Sequence, residues 1–241
     1  MKWEPDDFKL EKSSVWSFPE RGNWATHDAN YRGNCSPYVV RNLLLRYSKE
    51  GDWVLDQFVG GGTSLVEAKL LGRNAIGTDV NQDALDRCKE KIAFAYGDVK
   101  IELRKADARN LKFIKNGSID FICTHPPYSD IIRYTNGVDG DISLLDYNDF
   151  LDAMAQVAEE AFRVLKSGKY CALVIGDIRQ KGFVRPLGFD TMKVFEKADF
   201  KLKEIIIKQQ YNCRMTEKWE KISIEKNFFL LSHEYVFIFK K

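Results

Sequence analysis

The chain has 241 residues, a formal net charge of +2 at pH 7, and 44% hydrophobic and 30% charged residues. This length suits one large α/β domain with a buried core, so we expect residues 1–241 to form a single domain. Residues 1–7 contain no apolar run and no apolar stretch approaches the roughly 20 residues of a membrane span, so we expect no signal peptide and a cytoplasmic protein without membrane contact. The small net charge means that any surface for nucleic acid must be local.

The cysteines are scattered singly, with no Cys-x-x-Cys pair and no Cys/His cluster. They stand at Cys35, Cys88, Cys123, Cys171 and Cys213. An odd, dispersed set is typical of reduced thiols in an intracellular protein. We therefore expect neither a disulfide framework nor a bound metal.

The predicted elements begin with an arm over residues 1–33, followed by a catalytic core over residues 34–241. At the start of the core, Ser36 and Pro37 are typical of a capped helix start, because serine caps helices and proline suits the first helical position.

From Trp53 onward, short apolar runs alternate with stretches of helical spacing. In chain order we predict strand 53–58, helix 63–71, strand 74–78, helix 82–96, strand 99–104, strand 118–124, helix 147–165, strand 170–175, helix 186–198, strand 200–208 and strand 234–239. We expect Ser167-Gly168 to stop the third of these helices. Such alternation predicts an α/β, Rossmann-like fold, with a mostly parallel seven-stranded sheet and helices on both faces. No helix is predicted between the last two strands, so we expect an antiparallel pair at one edge.

A glycine-rich turn joins the first strand to the first helix of this pattern, in the run Val54-Leu55-Asp56-Gln57-Phe58-Val59-Gly60-Gly61-Gly62-Thr63. Glycines let the backbone turn tightly and approach a ligand closely. Asp79 ends the next strand about 20 residues on, where a carboxylate can bind both hydroxyls of a ribose, and Asp107 follows the third strand. A nicotinamide site shares this geometry, but its Gly-x-Gly-x-x-Gly fingerprint fails at Leu65. A glycine-rich turn without a ligand is the other alternative.

This run resembles the Asp-x-Phe-x-Gly-x-Gly-Thr motif of amino-group DNA methyltransferases, with Gln57 where that motif often has proline. The resemblance implies a class I methyltransferase fold with the cofactor S-adenosylmethionine. Asp79 then matches the ribose ligand, Asp107 matches the adenine-contacting position, and the helix start at Ser36 faces the methionine carboxylate. For Ser36, simple capping of a packing helix is an alternative. The cofactor-binding residues implied are Ser36, Asp56, Phe58, Gly60, Gly62, Thr63, Asp79, Asp107 and Ala108.

A buried strand leads into His125-Pro126-Pro127-Tyr128, and the two prolines hold the local backbone rigid. An exocyclic amine is a poor nucleophile because its lone pair is delocalised into the ring, so acceptors for its hydrogens and correct alignment do most of the catalysis. Tyr128 suits stacking on a base taken out of its helix. The segment resembles the catalytic tetrapeptide of the same family, which implies that all four residues are catalytic.

His125 departs from the Asp, Asn or Ser that opens the family tetrapeptide. A neutral imidazole can accept one hydrogen bond from the target amine, or it can titrate near neutral pH and take up a proton. In the alternative, His125 points away and the carbonyl of Pro126 is the main acceptor.

The resemblance covers residues 34–241, including a terminal strand in which His233 is expected to be structural. It implies methyl transfer to an exocyclic amino group of a DNA base, N4 of cytosine or N6 of adenine, with a restriction endonuclease as a candidate partner. Because no large recognition domain fits this chain, base N-methylation of ribosomal or transfer RNA is the main alternative. Glutamine methylation of protein and cofactor binding without turnover are weaker alternatives.

Three segments of the protein are candidates for contact with nucleic acid. They are residues 129–146, residues 211–232 and the arm. The arm's Trp16, Phe18 and Trp24 either stack on bases or pack the arm onto the domain. Tyr31 and Arg32 are expected to line the cofactor pocket, and Arg133 and Tyr134 to contact the target strand. The basic residues of the C-terminal third are Lys201, Lys203, Lys208, Arg214, Lys218, Lys221 and Lys226.

Overall fold

A computed structural model describes residues 2–211 and 216–241 of the chain. Cys213 and Arg214, which entered the cysteine and charge arguments, lie outside the described residues. Among the described helices, none is long and apolar enough to cross a membrane.

The strands form one large sheet and one small hairpin. In chain order they are β1 Val15–Trp16, β2 Trp53–Asp56, β3 Asn74–Asp79, β4 Ile101–Lys105, β5 Ile119–Thr124, β6 Leu165–Ile175, β7 Ile178–Gln180, β8 Phe183–Arg185, β9 Lys201–Gln209 and β10 His233–Lys240. The large sheet has the order β1-β9-β10-β6-β5-β2-β3-β4, and β7 pairs with β8. β10 runs antiparallel to both of its neighbours, whereas the other pairs of the large sheet are parallel.

Helices cover both faces of the large sheet. The described helices are α1 Pro37–Tyr47, α2 Thr63–Leu70, α3 Gln82–Lys91, α4 Tyr147–Val164, α5 Leu187–Lys197 and the largely exposed α6 Thr216–Glu225. Successive strand residues face opposite sides, so on β2 Leu55 packs in the cluster that includes α4 and α5, and Val54 packs in the cluster that includes α1 and α2. Strands buried on both faces explain why the sequence shows short apolar runs rather than strict alternation.

Helix α4 shows why these stretches become helices. The Asp146 side chain accepts hydrogen bonds from the backbone N–H groups of Asn148 and Asp149, at 2.9 and 3.1 Å, and so caps the helix. Its buried side chains recur every three or four residues and form one apolar stripe. They are Tyr147, Phe150, Ala153, Met154, Val157, Ala158, Ala161 and Val164.

The predicted fold class is confirmed, but the large sheet has eight strands among the described residues rather than the seven that were predicted. The additional strand β1 comes from the arm and pairs Val15 with Ile207 and Trp16 with Lys208. Trp16 and Trp24 are both buried, so the packing alternative for these two arm aromatics is correct.

The expected antiparallel pairing of the last two strands is confirmed, but the expectation that no helix separates them is wrong. Helix α6 lies between β9 and β10. Most of its described side chains are exposed, so it lacks a wide apolar stripe and gives only a weak periodic signal. It does not carry the chain across the sheet, and β9 and β10 remain neighbours.

The predicted helix stop at Ser167-Gly168 is also wrong. Helix α4 ends at Val164, and the next residue, Leu165, already pairs with Ile119 of β5. Gly168 lies inside β6, and its backbone N–H donates to the carbonyl of Lys241 at 2.9 Å. Pairing with the chain's last residues therefore extends this strand toward its start.

The helix predicted over 82–96 ends at Lys91. Beyond that point Phe94 and Tyr96 pack their rings against Trp3 of the arm. Lys69 also donates to the carbonyls of Ile92 and Phe94, at 2.9 and 2.5 Å. These tertiary contacts replace the last turn of the expected helix.

Candidate active site

A cavity of about 730 Å³ lies at the carboxyl ends of the parallel strands. β2, β3, β5 and β6 all end at this edge of the sheet, and the antiparallel β10 begins there. Ligands of open α/β sheets bind in this position because the loops after the strands supply the contacts. The predicted cofactor and catalytic segments follow β2 and β5, so the fold brings them to one cavity.

The glycine-rich turn between β2 and α2 forms one wall. Gly60 and Gly62 have φ values of 47° and 82°, in the left-handed region that favours glycine. A Cβ placed on Gly62 would lie 2.6 Å from Sγ of Cys88, so this position is also too close to α3 for a side chain. The Val59 N–H donates to the Thr78 carbonyl at 2.9 Å and ties the turn to β3.

Asp56, at the end of β2, braces this turn from the inside. Its carboxylate accepts hydrogen bonds from the Phe58 N–H at 3.0 Å and from the Ser64 hydroxyl. Burial raises the pKa of Asp56 to about 7, although both hydrogen bonds act in the opposite direction. The predicted motif residues Asp56, Phe58, Gly60 and Thr63 all line the cavity.

Asp79, at the end of β3, lies on the same wall. One carboxylate oxygen accepts from the Gly60 N–H at 3.0 Å and the other from the Asn81 N–H at 2.9 Å. Burial raises the pKa of this carboxyl. Each carboxylate oxygen keeps a further lone pair, so Asp79 can accept additional hydrogen bonds from a ligand's hydroxyl groups.

The structure places Asp107 differently from the expectation. Its carboxylate receives two hydrogen bonds from Nε of Arg109, both at 3.0 Å, and one from Nη2 at 2.6 Å. Its neighbours Ala106 and Ala108 are among the described residues that line the cavity, but Asp107 is not. The arginine two residues on turns back and engages the carboxylate, so adenine recognition by Asp107 stays a prediction.

The start of α1 forms a second wall. Pro37 is the first helical residue, as predicted, but the expected side-chain cap by Ser36 is wrong. The Ser36 hydroxyl instead donates to the Arg21 carbonyl at 3.0 Å, while the Arg21 guanidinium donates to the carbonyls of Asn34 and Cys35 at 2.8 and 2.7 Å. Arg21 thus holds the chain just before α1, and Ser36 still lines the cavity.

Two tyrosines close over the glycine-rich turn. Tyr31 of the arm and Tyr134 have nearly parallel rings with centroids 6.0 Å apart. A Cβ placed on Gly60 or Gly61 would lie 2.9 Å from Tyr31, so the arm packs directly on the turn. Tyr31 lines the cavity as predicted, and Tyr134 lines it too. Arg32 and Arg133 are not among the described lining residues.

The segment after β5 that is predicted to be catalytic takes part in a series of polar contacts. Nε2 of His125 lies 3.1 Å from the Tyr128 hydroxyl, which donates to Oε1 of Glu234 at 2.7 Å. Nζ of Lys208 donates to the other oxygen of Glu234 at 2.9 Å. Pro126 and Pro127 line the cavity beside these contacts.

The surroundings of Glu234, His125 and Tyr128 shift the pKa values of these three side chains and so determine which of them are charged. Burial alone would raise the pKa of Glu234, but the adjacent Lys208 and His125 lower it to about 2. Burial lowers the pKa of His125 and raises that of Tyr128 well above its usual value. At neutral pH the site therefore holds an ionised Glu234 beside a neutral imidazole and a neutral phenol.

Sequence reasoning missed Glu234 and treated Lys208 only as part of a basic stretch. The two residues are cross-strand partners on β10 and β9. The available signal was a glutamate at the start of an otherwise apolar strand, where an unpaired buried charge is costly. His233, predicted to be structural, has Nε2 at 3.1 Å from the Tyr235 hydroxyl and also lines the cavity.

Across residues 2–211 and 216–241, no group of three or more His, Cys, Asp or Glu side chains is arranged to hold a metal ion. The four described cysteines are free thiols.

Comparison with known proteins gives the family. Residues 2–90 and 119–241 match the DNA methylase family of N6/N4 methyltransferases, and the chain belongs to this family. The tRNA (guanine(10)-N2)-dimethyltransferase of Methanothermobacter thermautotrophicus is 32% identical over 145 residues, which are 59% of this chain and 41% of that protein. The type II methyltransferase M.MthZI of the same organism is 29% identical over 103 residues, 36% of this chain and 29% of that protein. The chain thus matches less than half the length of either relative.

A solved structure of an S-adenosylmethionine-dependent methyltransferase from Methanosarcina mazei shares the fold. It has a TM-score of 0.55 at 17% identity and covers 83% of this chain and 96% of that chain. The predicted resemblance to DNA amino-methyltransferases and the Rossmann-like methyltransferase fold are confirmed. Family and fold together support S-adenosylmethionine as the cofactor.

Proposed function

We propose that this chain transfers a methyl group from S-adenosylmethionine to an exocyclic amino group of a nucleic-acid base, N4 of cytosine or N6 of adenine in DNA. The observation that carries the proposal is the meeting of two segments in one cavity. His125-Pro126-Pro127-Tyr128 follows β5, and the glycine-rich turn follows the adjacent β2. Methyl donor and amine can therefore be held side by side, which is the main requirement of this reaction.

The residues present fit the cofactor. A cavity of about 730 Å³ suits a ligand of nucleoside size. Asp79 offers a half-buried carboxylate for the ribose hydroxyls, and the start of α1 at Ser36 suits the methionine carboxylate. When bound, S-adenosylmethionine supplies an electrophilic methyl group. Tyr31 and Tyr134 line this end of the cavity.

The target amine is oriented by the chain's own acceptors. The Pro126 carbonyl is held by the rigid Pro-Pro backbone, and the neutral His125 ring can accept one hydrogen bond. The Tyr128 ring offers a face for the base, while its hydroxyl is anchored on Glu234. Electrostatic positioning of this kind lowers the barrier without a metal ligand or a covalent intermediate on the protein.

An exposed surface beside the cavity suits the nucleic acid. It consists of the β7–β8 hairpin and residues 228–229, and we call it the aromatic rim. Phe183 and Phe229 are 77% and 91% exposed, far more than aromatic residues usually are. Arg179 joins the two parts, because its guanidinium lies 4.8 Å from the Phe228 ring centroid and donates to the Phe229 carbonyl at 3.0 Å. Aromatic faces beside cations stack on unpaired bases and contact phosphates.

The choice of DNA as the substrate has one strong alternative, which is RNA. The family is described as DNA methylase, whereas one relative is named as a tRNA dimethyltransferase. RNA base methylation is therefore the second candidate function. We also propose a restriction endonuclease as a candidate partner and a cytoplasmic location, and both of these depend on the DNA proposal.

The proposal is tested by incubating the protein with methyl-labelled S-adenosylmethionine and, separately, duplex DNA, total RNA and cell protein. The nucleic acids are digested and the labelled nucleoside is identified. We expect label in N4-methylcytosine or N6-methyladenine from DNA, and none with the Asp79→Ala variant. Label confined to RNA would show that the substrate is RNA rather than DNA. Label confined to protein would overturn the proposal.

A further inference from the structure

The hydroxyl of Tyr128 lies between an imidazole and a carboxylate, and it has one hydrogen to share. His125 Nε2 is 3.1 Å from this oxygen, and Glu234 Oε1 is 2.7 Å from it. A carboxylate paired with an ammonium group accepts hydrogen bonds and has no proton to donate. Glu234 is so paired, since Nζ of Lys208 lies 2.9 Å from its Oε2.

This arrangement fixes the direction of every hydrogen bond in the chain. Because Glu234 only accepts, the Tyr128 hydrogen must point toward Oε1. The Tyr128 oxygen then has only lone pairs to offer His125, so Nε2 must carry a hydrogen and donate it. A neutral imidazole has one N–H and one lone-pair nitrogen. With Nε2 protonated, the lone pair is on Nδ1, which has no hydrogen-bond partner among the described residues.

We propose that Lys208, Glu234 and Tyr128 form a positioning chain that holds His125 in its Nε2–H tautomer and so presents Nδ1 as the acceptor for the target amine. This inference rests on the proposed function. It gives a physical reason for a histidine at the position where the family has Asp, Asn or Ser. His125 lines the cavity, and its side chain keeps 18% of its surface exposed. Glu234, Lys208 and the Tyr128 hydroxyl act through His125.

His125, held in this tautomer, can also take up the proton that the reaction releases. As the amine nitrogen bonds to the methyl carbon, the carbon–sulfur bond breaks and its electron pair stays on sulfur. The nitrogen then carries one surplus proton, which passes to Nδ1 and leaves His125 as an imidazolium. The ionised Glu234, with Oε1 3.9 Å from Nε2, stabilises that positive charge. Atoms and charge therefore balance without any further co-reactant.

The variant Glu234→Gln has a sharp predicted effect. Lys208 still needs an acceptor, so the amide oxygen stays on its side and the amide NH₂ faces Tyr128. The Tyr128 hydroxyl must then turn its hydrogen toward Nε2 of His125. As a result the imidazole hydrogen moves to Nδ1, and the lone pair leaves the position where the amine needs it.

The tautomer can be read directly by two-dimensional ¹H–¹⁵N NMR of protein labelled at its histidines. The chain contains only three histidines, and the His125 signals are identified by their loss in His125→Asn. We expect a neutral Nε2–H tautomer in the wild type, the Nδ1–H tautomer in Glu234→Gln, and an exchanging mixture in Tyr128→Phe. Glu204→Gln, an exposed change on the neighbouring β9, is the matched control and should leave the signals unchanged.

An Nδ1–H tautomer in the wild type, or an unchanged tautomer in both Glu234→Gln and Tyr128→Phe, would overturn the positioning chain. This readout does not depend on turnover, so it is separate from the proposed function. If a nucleic-acid base is methylated, Glu234→Gln should lower kcat by roughly 100-fold and leave KM for S-adenosylmethionine within about twofold. Tyr128→Phe keeps the ring and removes only the hydroxyl, so it tests the same chain if Glu234→Gln fails to fold.

Discussion

The indole N–H of Trp24 donates to Oε1 of Glu67 at 2.7 Å, and neither side chain is open to solvent, with 2% and 0% of their surfaces exposed. Nε2 of His27 lies 2.8 Å from the same oxygen, and Arg41 donates to the other oxygen at 3.1 Å. A carboxylate inside α2 thus joins the arm to α1. This connection fixes the arm a few residues before Tyr31, which covers the glycine-rich turn.

Removing the Glu67 carboxylate should detach the arm from α1 and α2 and destabilise the protein. In Glu67→Ala, Arg41 becomes a buried charge without that partner, so we expect the free energy of unfolding to fall by about 3–5 kcal/mol. Urea denaturation followed by tryptophan fluorescence measures it. Glu90→Ala, an exposed change on α3, should stay within about 0.5 kcal/mol of the wild type. A similarly small effect for Glu67→Ala would show that the arm is not held in this way.

The packing of Tyr31 on the glycine-rich turn predicts that Tyr31 contributes to the affinity for S-adenosylmethionine. Tyr31→Ala removes the ring that packs on Gly60 and Gly61, so we expect the Kd for S-adenosylmethionine to rise at least about 10-fold, the equivalent of ~1.4 kcal/mol. Isothermal titration calorimetry provides the measurement. Phe113→Ala, which removes an exposed ring outside the cavity, is the control and should bind normally. An unchanged Kd for Tyr31→Ala would mean that the arm does not close on the cofactor.

Asp56 predicts a dependence of stability on pH. Burial raises its folded pKa from 3.8 to about 7, so the folded state favours the protonated acid. The stabilisation is present below the unfolded pKa and is lost as pH rises through about 7. Asp56→Asn cannot ionise, so its stability relative to the wild type should rise by about 4 kcal/mol between pH 4 and pH 8. Urea unfolding of both proteins across this range tests the sign, and a constant difference would contradict it.

If the aromatic rim binds nucleic acid, a substitution there should lower the affinity for nucleic acid and leave the affinity for the cofactor unchanged. Phe229→Ala removes an exposed ring, and each base that stacks on an aromatic ring contributes about 1–3 kcal/mol. We therefore expect nucleic-acid affinity to fall at least about fivefold, while cofactor affinity is unchanged. Fluorescence anisotropy with labelled oligonucleotides measures the first and calorimetry the second. Equal affinity for Phe229→Ala and Phe113→Ala would exclude the rim as the binding surface.

Local motifs were enough to predict the wall of the cavity that the glycine-rich turn forms. Asp56 and Asp79 end β2 and β3, and Gly60 lies in the short turn after β2, so short-range spacing sets the position of each. Parallel pairing then brings the ends of β2 and β3 together without further information.

Other features depend on contacts that local patterns do not contain. Glu234 meets Tyr128 across 106 positions of sequence, and its partner Lys208 is set by the register of β9 against β10. The capture of Asp107 by Arg109 is a choice of side-chain rotamer, which spacing alone does not determine. Strand β1 has only two residues, so its pattern is too short to read.

The measurement that tests the proposed activity most directly is mass spectrometry of nucleosides after reaction with S-adenosylmethionine carrying a deuterated methyl group. Unmethylated duplex DNA is the substrate, and Asp79→Ala and His125→Ala are run beside the wild type. We predict deuterated N4-methylcytosine or N6-methyladenine with the wild type, none with Asp79→Ala, and much less with His125→Ala, which removes the acceptor side chain. A protein that binds S-adenosylmethionine by calorimetry yet leaves no deuterated nucleoside in DNA or in RNA would contradict the proposed activity.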